Sequence, residues 1–494
     1  MQFKAKKETK KVKTDVLIVG GGTAGFVAAI AAARNGAKVI IVEQHDYLGG
    51  SHSGGMVMMI RSMRHMRAPK DPKNLYEKKL MMAQYESSFD DQQVVYSIAQ
   101  EYLDRMIEVK AAWGKKGHAA ARQLFDPEIA KWVIDSMVME AGVDGWFYSQ
   151  ATDRLMEGNR VKGLVIENLL ERTEIDAAVT IDTTGDGEVC AAAGAPFEKG
   201  NPTDGLSQPL TLYFNIGGVN FEKSIEYMKA NPLEFGQEYV DTILRLIREN
   251  KPITLLPLKG KIKEAVANGD YPIPYGLTSV NPETATYLNR PMFRNGKFRY
   301  ESAVINMDMA YNIDTTSRAE LTKATIAMRN MAVKMVDFYR KYVPGYEDAY
   351  LIHTAPFIGV RDSRRIICDY FLTQEDVLSG KAFDDSIGRY GSVVDVHDKD
   401  GKESVRLVEV GGPGWFQIPY RTLLPQGVEN LLVAGRCIAA DYVAQGATRS
   451  QAACMITGQA AGTAAALAIK AGVTPRKVDI AALQDVLSAQ NQKV

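Results

Sequence analysis

Cysteine and histidine are scarce in this chain of 494 residues, which contains four cysteines and six histidines. No Cys-x-x-Cys pair occurs. This absence excludes the usual spacing of a cysteine-bound iron–sulfur cluster or a structural zinc site, so we predict no metal site. The spacing suggests no disulfide framework, and we expect reduced, buried thiols in a cytoplasmic protein. The cysteines are Cys190, Cys368, Cys437 and Cys454.

An excess of charge and a long apolar run are also missing. The 59 basic residues balance the 59 acidic ones, and a neutral chain lacks the electrostatic footprint of a nucleic-acid-binding protein. No apolar stretch approaches the length of a membrane span, and none near the start has the form of a signal peptide. Residues 1–14 are rich in lysine. They predict a solubilising or disordered tail or, as the alternative, a weak contact with an anionic surface.

Glycine, by contrast, is concentrated close to the N-terminus. The apolar segment DVLIV leads into GGGTAG at residues 20–25, an alanine-rich segment follows, and the next apolar segment, KVIIVE, ends at Glu43. Strand, G-x-G-x-x-G, helix, strand and acid in this order form the dinucleotide-binding fingerprint. We predict that Gly20 permits the tight turn and that Gly22 lets a pyrophosphate approach the backbone. Gly25 lets helix and strand pack closely, and Glu43 accepts the ribose hydroxyls.

The start of the predicted helix and the loop after the second strand add further candidates. The helix N-terminus offers N–H donors and the positive end of its dipole to the phosphates. The segment EQHDYLGGSHSGG begins at Glu43, and the loop that it forms is expected to touch the cofactor through backbone groups. The additional candidates are Thr23, Ala24, Gly49, Gly50, Ser51 and His52.

Two later segments complete this pattern. Residues 143–186 predict a strand at 145–149 and a three-stranded meander with turns near 157–159 and 170–171. A meander of this kind resembles the FAD-binding folds of the glutathione-reductase type, and the resemblance implies that Ala151 lies near the adenine through its backbone. The meander ends in three candidate cofactor-binding residues, Thr184, Gly185 and Asp186.

The second segment, residues 430–462, predicts a buried strand, a loop and a helix of small residues that begins at about Arg449. Such a helix can direct its N-terminus at the pyrimidine edge of a flavin and stabilise the reduced form. The alternative is a packed, alanine-rich helix hairpin. The cofactor-binding candidates in this segment are Gly435, Arg436, Ala447 and Thr448.

Four segments resemble a bacterial family of FAD-dependent oxidoreductases related to fumarate reductases and ketosteroid dehydrogenases. The segments are GGGTAGFVAAIAAARNGAKVIIVEQHDYLGG, DTTGDGEVCAAAGAPFE, GVRDSRRIICDYFLTQEDVLSGKAFDDSI and IPYRTLLPQGVENLLVAGRCIAADYVAQGATRSQAACMITGQAAGTAAAL. The resemblance implies an α/β fold with FAD as cofactor. Its parts would be a glutathione-reductase-type, Rossmann-like FAD-binding domain, an inserted α+β substrate domain and a helical cap.

We place the discontinuous FAD-binding domain at residues 1–67, 126–206 and 414–494, the helical cap at 68–125 and the substrate domain at 207–413. Helices are predicted at 221–230, 237–248 and 318–342. No second G-x-G-x-x-G follows a later strand, so electrons are expected to pass through the substrate and an external donor or acceptor. A homo-oligomer is left open.

An arginine-rich segment, HTAPFIGVRDSRR, supplies candidates for substrate binding and catalysis. Arginine suits the recognition of carboxylate or phosphate groups. The resemblance to fumarate reductases implies that an arginine can also deliver a proton to substrate carbon, and we select Arg361 for this role and Arg364 as a second candidate. The alternative is an ion-paired cluster, Arg361 with Asp362, that orders a domain junction.

Two further candidates for acid–base chemistry occur later in the chain. VVDVH alternates like a strand, so Asp395 and His397 share one face, and the carboxylate could orient the imidazole for proton transfer. A histidine that only satisfies local polar groups is the alternative. Tyr420 could donate a proton or bind substrate, or it could be a core aromatic residue with a satisfied hydroxyl group.

His52 raises the question of a covalent flavin. Ser51-His52-Ser53 resembles the Ser-His-Thr triplet of some fumarate-reductase relatives, in which the histidine is bonded to the flavin. Here Gly54-Gly55 follows at once, whereas the covalent pattern has several residues before its glycine pair. We favour noncovalent FAD and keep a link through His52 as the alternative.

The leading functional hypothesis is hydride transfer between flavin and a carbon of a small organic substrate. The arginines indicate an anionic substrate, and the resemblance favours reduction or desaturation of a C–C bond. An FAD-dependent alcohol (CH–OH) dehydrogenase is one alternative. An electron-relay subunit of a complex and a flavin-dependent hydratase or isomerase without net redox change are the others.

Overall fold

The computed structural model of the chain describes residues 9–61, 63–64, 93–120, 122–255, 258–283, 285, 288–397, 406–408 and 410–494. Its strands are β1 (Thr9–Val19), β2 (Val39–Val42), β3 (Met59–Arg61), β4 (Arg122–Leu124), β5 (Asp144–Trp146), β6 (Gln150–Glu157), β7 (Arg160–Glu167), β8 (Arg172–Asp182), β9 (Phe197–Lys199), β10 (Phe214–Gly217), β11 (Leu288–Arg294), β12 (Lys297–Asn306), β13 (Tyr350–Thr354), β14 (Arg364–Ile366), β15 (Ser386–Tyr390), β16 (Val394–Val396), β17 (Arg406–Val408), β18 (Phe416–Pro419) and β19 (Leu431–Val433).

The α-helices of the described residues are α1 (Thr23–Arg34), α2 (Ser97–Glu108), α3 (Pro127–Glu140), α4 (Glu188–Ala192), α5 (Phe221–Ala230), α6 (Pro232–Phe235), α7 (Gln237–Arg248), α8 (Lys259–Ala267), α9 (Arg318–Tyr342), α10 (Gln374–Ser379), α11 (Tyr442–Thr448), α12 (Gln451–Ala471) and α13 (Ile480–Ala489).

The larger sheet has the order β5-β2-β1-β8-β7-β6, and its centre is parallel. β8 is shared between two partners on one side. Its first half pairs with the antiparallel β7, and residues Thr180–Asp182 pair with the parallel β19. One edge of β8 is therefore covered by the meander strand β7 along its first half and by the C-terminal strand β19 at its end. The predicted strand at 145–149 is shorter than expected, because β5 ends at Trp146 and Tyr148 has a φ of +52°.

β1 begins earlier than the sequence predicts. Residues 9–14 pair with β8, so a tail is the wrong prediction for this stretch, and residues 1–8 lie outside the described chain. Acidic side chains on and next to β8 face the lysines. Lys10 lies 2.5 Å from Glu171, and Lys11 lies 3.4 Å from Glu174. Such exposed pairs contribute little energy, and the strand depends mainly on its backbone ladder.

The helices α1 and α12 pack in unusually close contact against this sheet. A Cβ added at Gly458 would lie 2.3 Å from the carbonyl oxygen of Ala24, and one added at Gly462 would lie 2.2 Å from that of Ala28. Small residues one turn apart on both helices make this approach possible. The helix predicted from about Arg449 is α12, which begins at Gln451 with Ser450 at its N-cap, and the short helix α11 precedes it.

α12 is the one described helix that is long and apolar enough to cross a membrane by length and composition. In its most apolar window 89% of the residues are buried inside the molecule, and a core helix passes the same test. The four cysteines are buried and free, as predicted.

The smaller sheet is antiparallel, with the order β11-β12-β10-β13. The helices around it, α5, α7 and α9, begin and end at the predicted residues. α9 follows helical periodicity, because Ala324, Met328, Met331 and Met335 are buried on one face. In the predicted cap, residues 65–92 lie outside the described chain, and α2 packs on the nucleotide-binding core. The domain boundaries stay a prediction.

We expect Gly458→Ala to lower the free energy of unfolding by about 1–3 kcal/mol, because the added methyl group forces α1 and α12 apart. Urea denaturation measures this loss. Gly260→Ala is the matched control, since Gly260 lies in α8 with its nearest neighbouring atom 3.5 Å from the added Cβ. The control should be neutral or slightly stabilising. Equal stability of the two variants would contradict the close-packing argument.

Candidate functional site

The three glycines of the fingerprint have the geometry that a dinucleotide-binding turn needs. Gly20 has a φ of +95°, and an added Cβ would lie 2.7 Å from the carbonyl oxygen of Thr183. A Cβ at Gly25 would lie 1.9 Å from the carbonyl oxygen of Gly20. At Gly22 the nearest atom would be 4.0 Å away. The turn is therefore closely packed at its two ends and open at Gly22.

Glu43 lies at the end of β2 and faces the glycine turn. Its Oε2 accepts a hydrogen bond from the backbone N–H of Gly21 at 2.7 Å, and its Oε1 accepts one from that of His45 at 2.9 Å. The carboxylate is thus held at the edge of the turn, where a ribose would be recognised. Ala151 lies on the exposed edge strand β6 and pairs with Ile166 of β7.

The loop with Gly49 and Gly50 packs against the glycine turn. Both residues have a positive φ, and a Cβ at Gly50 would lie 3.0 Å from the Cα of Gly22. The hydroxyl of Ser51 lies 3.4 Å from that of Thr23 and accepts a hydrogen bond from Gln451 at 3.5 Å. The loop therefore joins the N-terminal ends of α1 and α12.

His52 points into the core and not along this surface. It is fully buried, and its Nδ1 lies 2.9 Å from the hydroxyl of Thr23. The ring packs against the aromatic rings of Tyr102 and Phe125, with both centroids 5.4 Å away. Burial lowers the pKa of His52 to about 3. This placement supports the favoured prediction of noncovalent FAD, because the imidazole lies among apolar side chains.

The end of β8 and the start of the C-terminal loop meet at Asp186. Its carboxylate accepts hydrogen bonds from Arg436 at 2.7 Å and from Ser363 at 2.5 Å. An added Cβ at Gly185 would lie 2.9 Å from the same guanidinium. The hydroxyl of Thr184 donates to the buried Asp182 at 2.7 Å.

The remaining C-terminal candidates surround the hairpin of α11 and α12. Gly435 has a φ of +92°, and its N–H donates to the hydroxyl of Thr457 on α12 at 3.0 Å. Ala447 and Thr448 are fully buried in α11. The hydrogen bond to α12 therefore fixes the backbone at Gly435. Ala447 and Thr448 pack in the interior of the molecule.

A chain of charged side chains crosses the junction between the two sheets. Arg361 Nη2 lies 2.7 Å from Asp308 Oδ1, and His397 Nδ1 lies 2.9 Å from Asp308 Oδ2. On the other side of the imidazole, Nε2 lies 3.4 Å from Asp395 Oδ1, and Asp395 Oδ2 pairs with Arg61 at 2.7 Å. We call Arg61, Asp308, Arg361, Asp395, His397 and Arg449 the junction cluster.

Both carboxylates of the junction cluster are held in the ionised form. Burial alone would raise the pKa of Asp308, but Arg361 and His397 more than offset it, and the pKa lies well below its ordinary value. Burial opposes the ionisation of Asp395 in the same way, and Arg61 and His397 bring its pKa well below the ordinary range. The cluster therefore combines two carboxylates with three arginines.

Arg449, just before α12, differs from the other two arginines of the cluster. Its Nη2 donates to the carbonyl oxygen of Asp395 at 2.8 Å, and its Nε is buried without a hydrogen-bond partner. Among the described residues, no carboxylate oxygen lies within 4.0 Å of its guanidinium. Burial lowers the pKa of Arg449 to about 10; the charge of Asp395 opposes this shift, and the charges of Arg361 and Arg61 reinforce it. This arginine can therefore accept an anionic partner.

The other residues of the arginine-rich segment point elsewhere. Arg361 pairs with Asp308 and not with Asp362, whose Oδ1 accepts the backbone N–H of Gln208 at 2.6 Å and whose Oδ2 is buried without a hydrogen-bond partner. Arg364 Nη1 donates to the carbonyl oxygen of Asp186 at 3.1 Å, and its guanidinium lies over the ring of Phe197. Alternation along β14 thus directs Arg364 towards the nucleotide-binding side, away from the junction cluster.

Tyr420 is a core residue in the structure. Its side chain is 1% exposed, its hydroxyl donates to the carbonyl oxygen of Pro475 at 2.9 Å, and burial raises its pKa. This is the satisfied core aromatic of the sequence analysis. The phenol hydroxyl is used in this buried hydrogen bond, and the side chain does not face the junction cluster.

Sequence reasoning missed three members of the junction cluster as site residues. Arg61, Asp308 and Arg449 are each isolated in sequence from the motif that contains Arg361. Asp308 follows β12 and Arg449 precedes α12, so only the packing of the elements brings them together. The one available signal was a charged residue in an otherwise apolar segment, such as Asp308 in NMDMA.

A family model described as FAD dependent oxidoreductase matches residues 15–487 of the chain. The chain belongs to this family. It is an FAD-dependent oxidoreductase, and FAD is its cofactor. The geometry fits such a cofactor, since the open face of Gly22 lies beside the carboxylate of Glu43 and the N-terminus of α1. We expect Gly20, Gly22, Thr23, Glu43, Gly49 and Gly50, which surround this turn, to hold it.

Two relatives of known activity match little more than a third of this chain. Thiamine thiazole synthase of Pyrococcus abyssi is 27% identical over 184 residues, 36% of this chain and 59% of the relative. Digeranylgeranylglycerophospholipid reductase of Picrophilus torridus is 25% identical over 175 residues, 35% of this chain and 40% of the relative. The matches thus span less than two thirds of either relative.

Among solved structures, a geranylgeranyl bacteriochlorophyll reductase-like protein from Thermoplasma acidophilum is similar to the oxidoreductase with a TM-score of 0.44. The two are 13% identical, and the match covers 97% of this chain and 84% of the other.

We expect Gly22→Ala to weaken FAD binding at least tenfold while leaving the apoprotein stable. The added methyl group has room within the chain but occupies the side on which a pyrophosphate would approach the backbone. Titration of the apoprotein with FAD, followed by flavin fluorescence, measures the affinity, and urea denaturation measures the stability. Wild-type affinity in a correctly folded variant would contradict this assignment.

We also expect FAD to be released by acid. His52 is enclosed by aromatic side chains and is hydrogen-bonded to the hydroxyl of Thr23, so we do not expect it to form a covalent link with the flavin. After acid precipitation, the yellow colour should appear in the supernatant and chromatograph as FAD. A coloured pellet that becomes colourless in His52→Ala would establish the covalent alternative.

Proposed function

We propose that the protein transfers a hydride between flavin and a carbon of a small carboxylate at the junction cluster. Reduction or desaturation of a C–C bond is the favoured reaction. The resemblance to fumarate reductases and ketosteroid dehydrogenases motivates this choice, and the Picrophilus torridus relative is itself a reductase.

The observation that carries the proposal is the unequal pairing of the three arginines. Arg61 and Arg361 each have a carboxylate within 2.7 Å, while Arg449 has none among the described residues. A partly buried cation without a counterion is costly, and a substrate carboxylate would remove this cost. Arg449, rather than Arg361, is therefore the proposed anchor for the anionic group.

His397 and Arg361 would move the proton that accompanies hydride transfer. FAD, when bound, supplies a two-electron acceptor or donor for a hydride. Removal of hydrogen across a C–C bond also releases a proton from the neighbouring carbon, and His397 Nε2 would accept it. In the reverse direction the same nitrogen, or Arg361, would return a proton to carbon. Electrons would enter or leave through an external partner, because the chain has one G-x-G-x-x-G motif.

Anaerobic mixing of the holoenzyme with candidate substrates tests the proposal. Saturated and α,β-unsaturated carboxylates, the matching amides, and primary and secondary alcohols would be mixed with the oxidised or the dithionite-reduced holoenzyme. We expect at least one carboxylate, and not its amide, to bleach the visible absorbance of the oxidised flavin or to restore that of the reduced flavin. A response to alcohols alone would favour the alcohol dehydrogenase alternative.

Variants then separate binding from proton transfer. Arg449→Gln should raise KM for the reactive carboxylate at least tenfold, and His397→Asn should lower kcat with a smaller change in KM. Arg421→Lys is the matched control, because Arg421 pairs with Asp385 and its side chain is 48% exposed. An unchanged KM in Arg449→Gln with full flavin content would refute the anchoring role.

A further inference from the structure

The imidazole of His397 lies between two carboxylates that belong to different elements of the fold. Asp308 follows β12 of the smaller sheet, and Asp395 lies on β16. The distance from Nδ1 to Asp308 is 2.9 Å, which is an ordinary hydrogen bond. The distance from Nε2 to Asp395 is 3.4 Å, which is longer than the typical value of about 3.0 Å. Asp308 is therefore the stronger partner of the ring.

The ionisation of Asp308 determines where the imidazole carries its hydrogen. Arg361 and His397 keep the pKa of Asp308 well below its ordinary value, against the effect of burial. An ionised carboxylate can only accept hydrogen bonds. Because the contact with Asp308 is shorter than the contact with Asp395, Nδ1 carries the hydrogen of the neutral imidazole and Nε2 keeps the free electron pair.

The same carboxylate also fixes Arg361. Its Oδ1 pairs with Nη2 of Arg361 at 2.7 Å, while its Oδ2 holds His397. Two further hydrogen bonds hold His397 and Arg361 to neighbouring residues of the chain, Gln208 and Pro209. Gln208 Oε1 accepts the backbone N–H of His397 at 3.2 Å, and the carbonyl oxygen of Pro209 accepts Nη1 of Arg361. The two candidate proton-transfer groups are thus held at a fixed spacing.

We propose that Asp308 is a positioning residue that keeps His397 in the Nδ1–H tautomer and sets it beside Arg361. Nε2 is then the nitrogen that exchanges a proton with the substrate. This inference deepens the proposed function and rests on it for its meaning in catalysis. The tautomer itself is a property of the protein and can be measured without a substrate.

Asp308→Asn is the sharpest variant, because an amide offers one oxygen where the carboxylate offers two. The guanidinium of Arg361 offers only N–H donors, so the amide oxygen turns towards it. The NH2 group then faces His397 Nδ1, which must accept a hydrogen bond. We therefore expect the imidazole to change to the Nε2–H tautomer in this variant.

Long-range 1H–15N NMR spectra of the histidine-labelled holoenzyme would test this. They are recorded at about pH 8.5, above the ordinary imidazole pKa of about 6.5. The signals missing in His397→Asn assign the ring among the six histidines. The expected result is protonated Nδ1 in the wild type and in Asp314→Asn, and protonated Nε2 in Asp308→Asn. Asp314 is a suitable control because it pairs with Lys199, outside the junction cluster.

A wild-type spectrum with an unprotonated Nδ1 would overturn the inference, even where Asp308→Asn failed to fold. An unchanged tautomer in a folded Asp308→Asn variant would also overturn it. The expected tautomer change without turnover of any carboxylate would support the role of Asp308 and would count against the proposed function instead.

Discussion

The close approach of α1 and α12 is the constraint on which the site depends. Each helix begins beside the glycine turn or the junction cluster, and each can do so only because glycine and alanine line the contact. Gly458 against Ala24 and Gly462 against Ala28 bring the two backbones together without intervening side chains. The position of Arg449, immediately before α12, follows from this packing.

The junction cluster shows how polar groups can be buried between two cores at acceptable cost. Removing isolated charges from water is expensive, and the structure compensates by pairing Arg361 with Asp308 and Arg61 with Asp395, with the imidazole of His397 between the two carboxylates. Arg449 stands outside these pairs, since no carboxylate oxygen of the described residues lies within 4.0 Å of its guanidinium. A site that leaves one cation uncompensated is electrostatically suited to an anion, and this is the physical basis of the proposed substrate class.

Local signals were sufficient for the nucleotide-binding elements and for the long helices. The fingerprint from residue 15 to Glu43 predicts β1, α1 and β2 because each step has its own steric requirement, as the Cβ contacts of Gly20 and Gly25 show. The bounds of α9 follow from its apolar period and its Ser317 cap. The prediction of a tail was wrong for residues 9–14, because the acidic partners of Lys10 and Lys11 lie on or beside β8, more than a hundred residues away.

Asp395 and His397 share a strand face, as period-two alternation predicts, and the 3.4 Å separation of Oδ1 and Nε2 agrees with that expectation. The stronger partner of the imidazole, Asp308, has no local signal. Arg361 was singled out from sequence, but its pairing with Asp308 instead of Asp362 depends on how the loop after β13 meets the loop after β12.

The sequence by itself determined the cofactor class, the order of the nucleotide-binding elements and the bounds of α5, α7 and α9, because these depend on short-range steric and periodic rules. Only the tertiary structure decided which charges meet at the junction, that His52 and Tyr420 belong to the core, and that Arg449 has no carboxylate partner among the residues that the structure describes. Those outcomes depend on contacts between residues far apart in the chain, which the packing of one core against another creates.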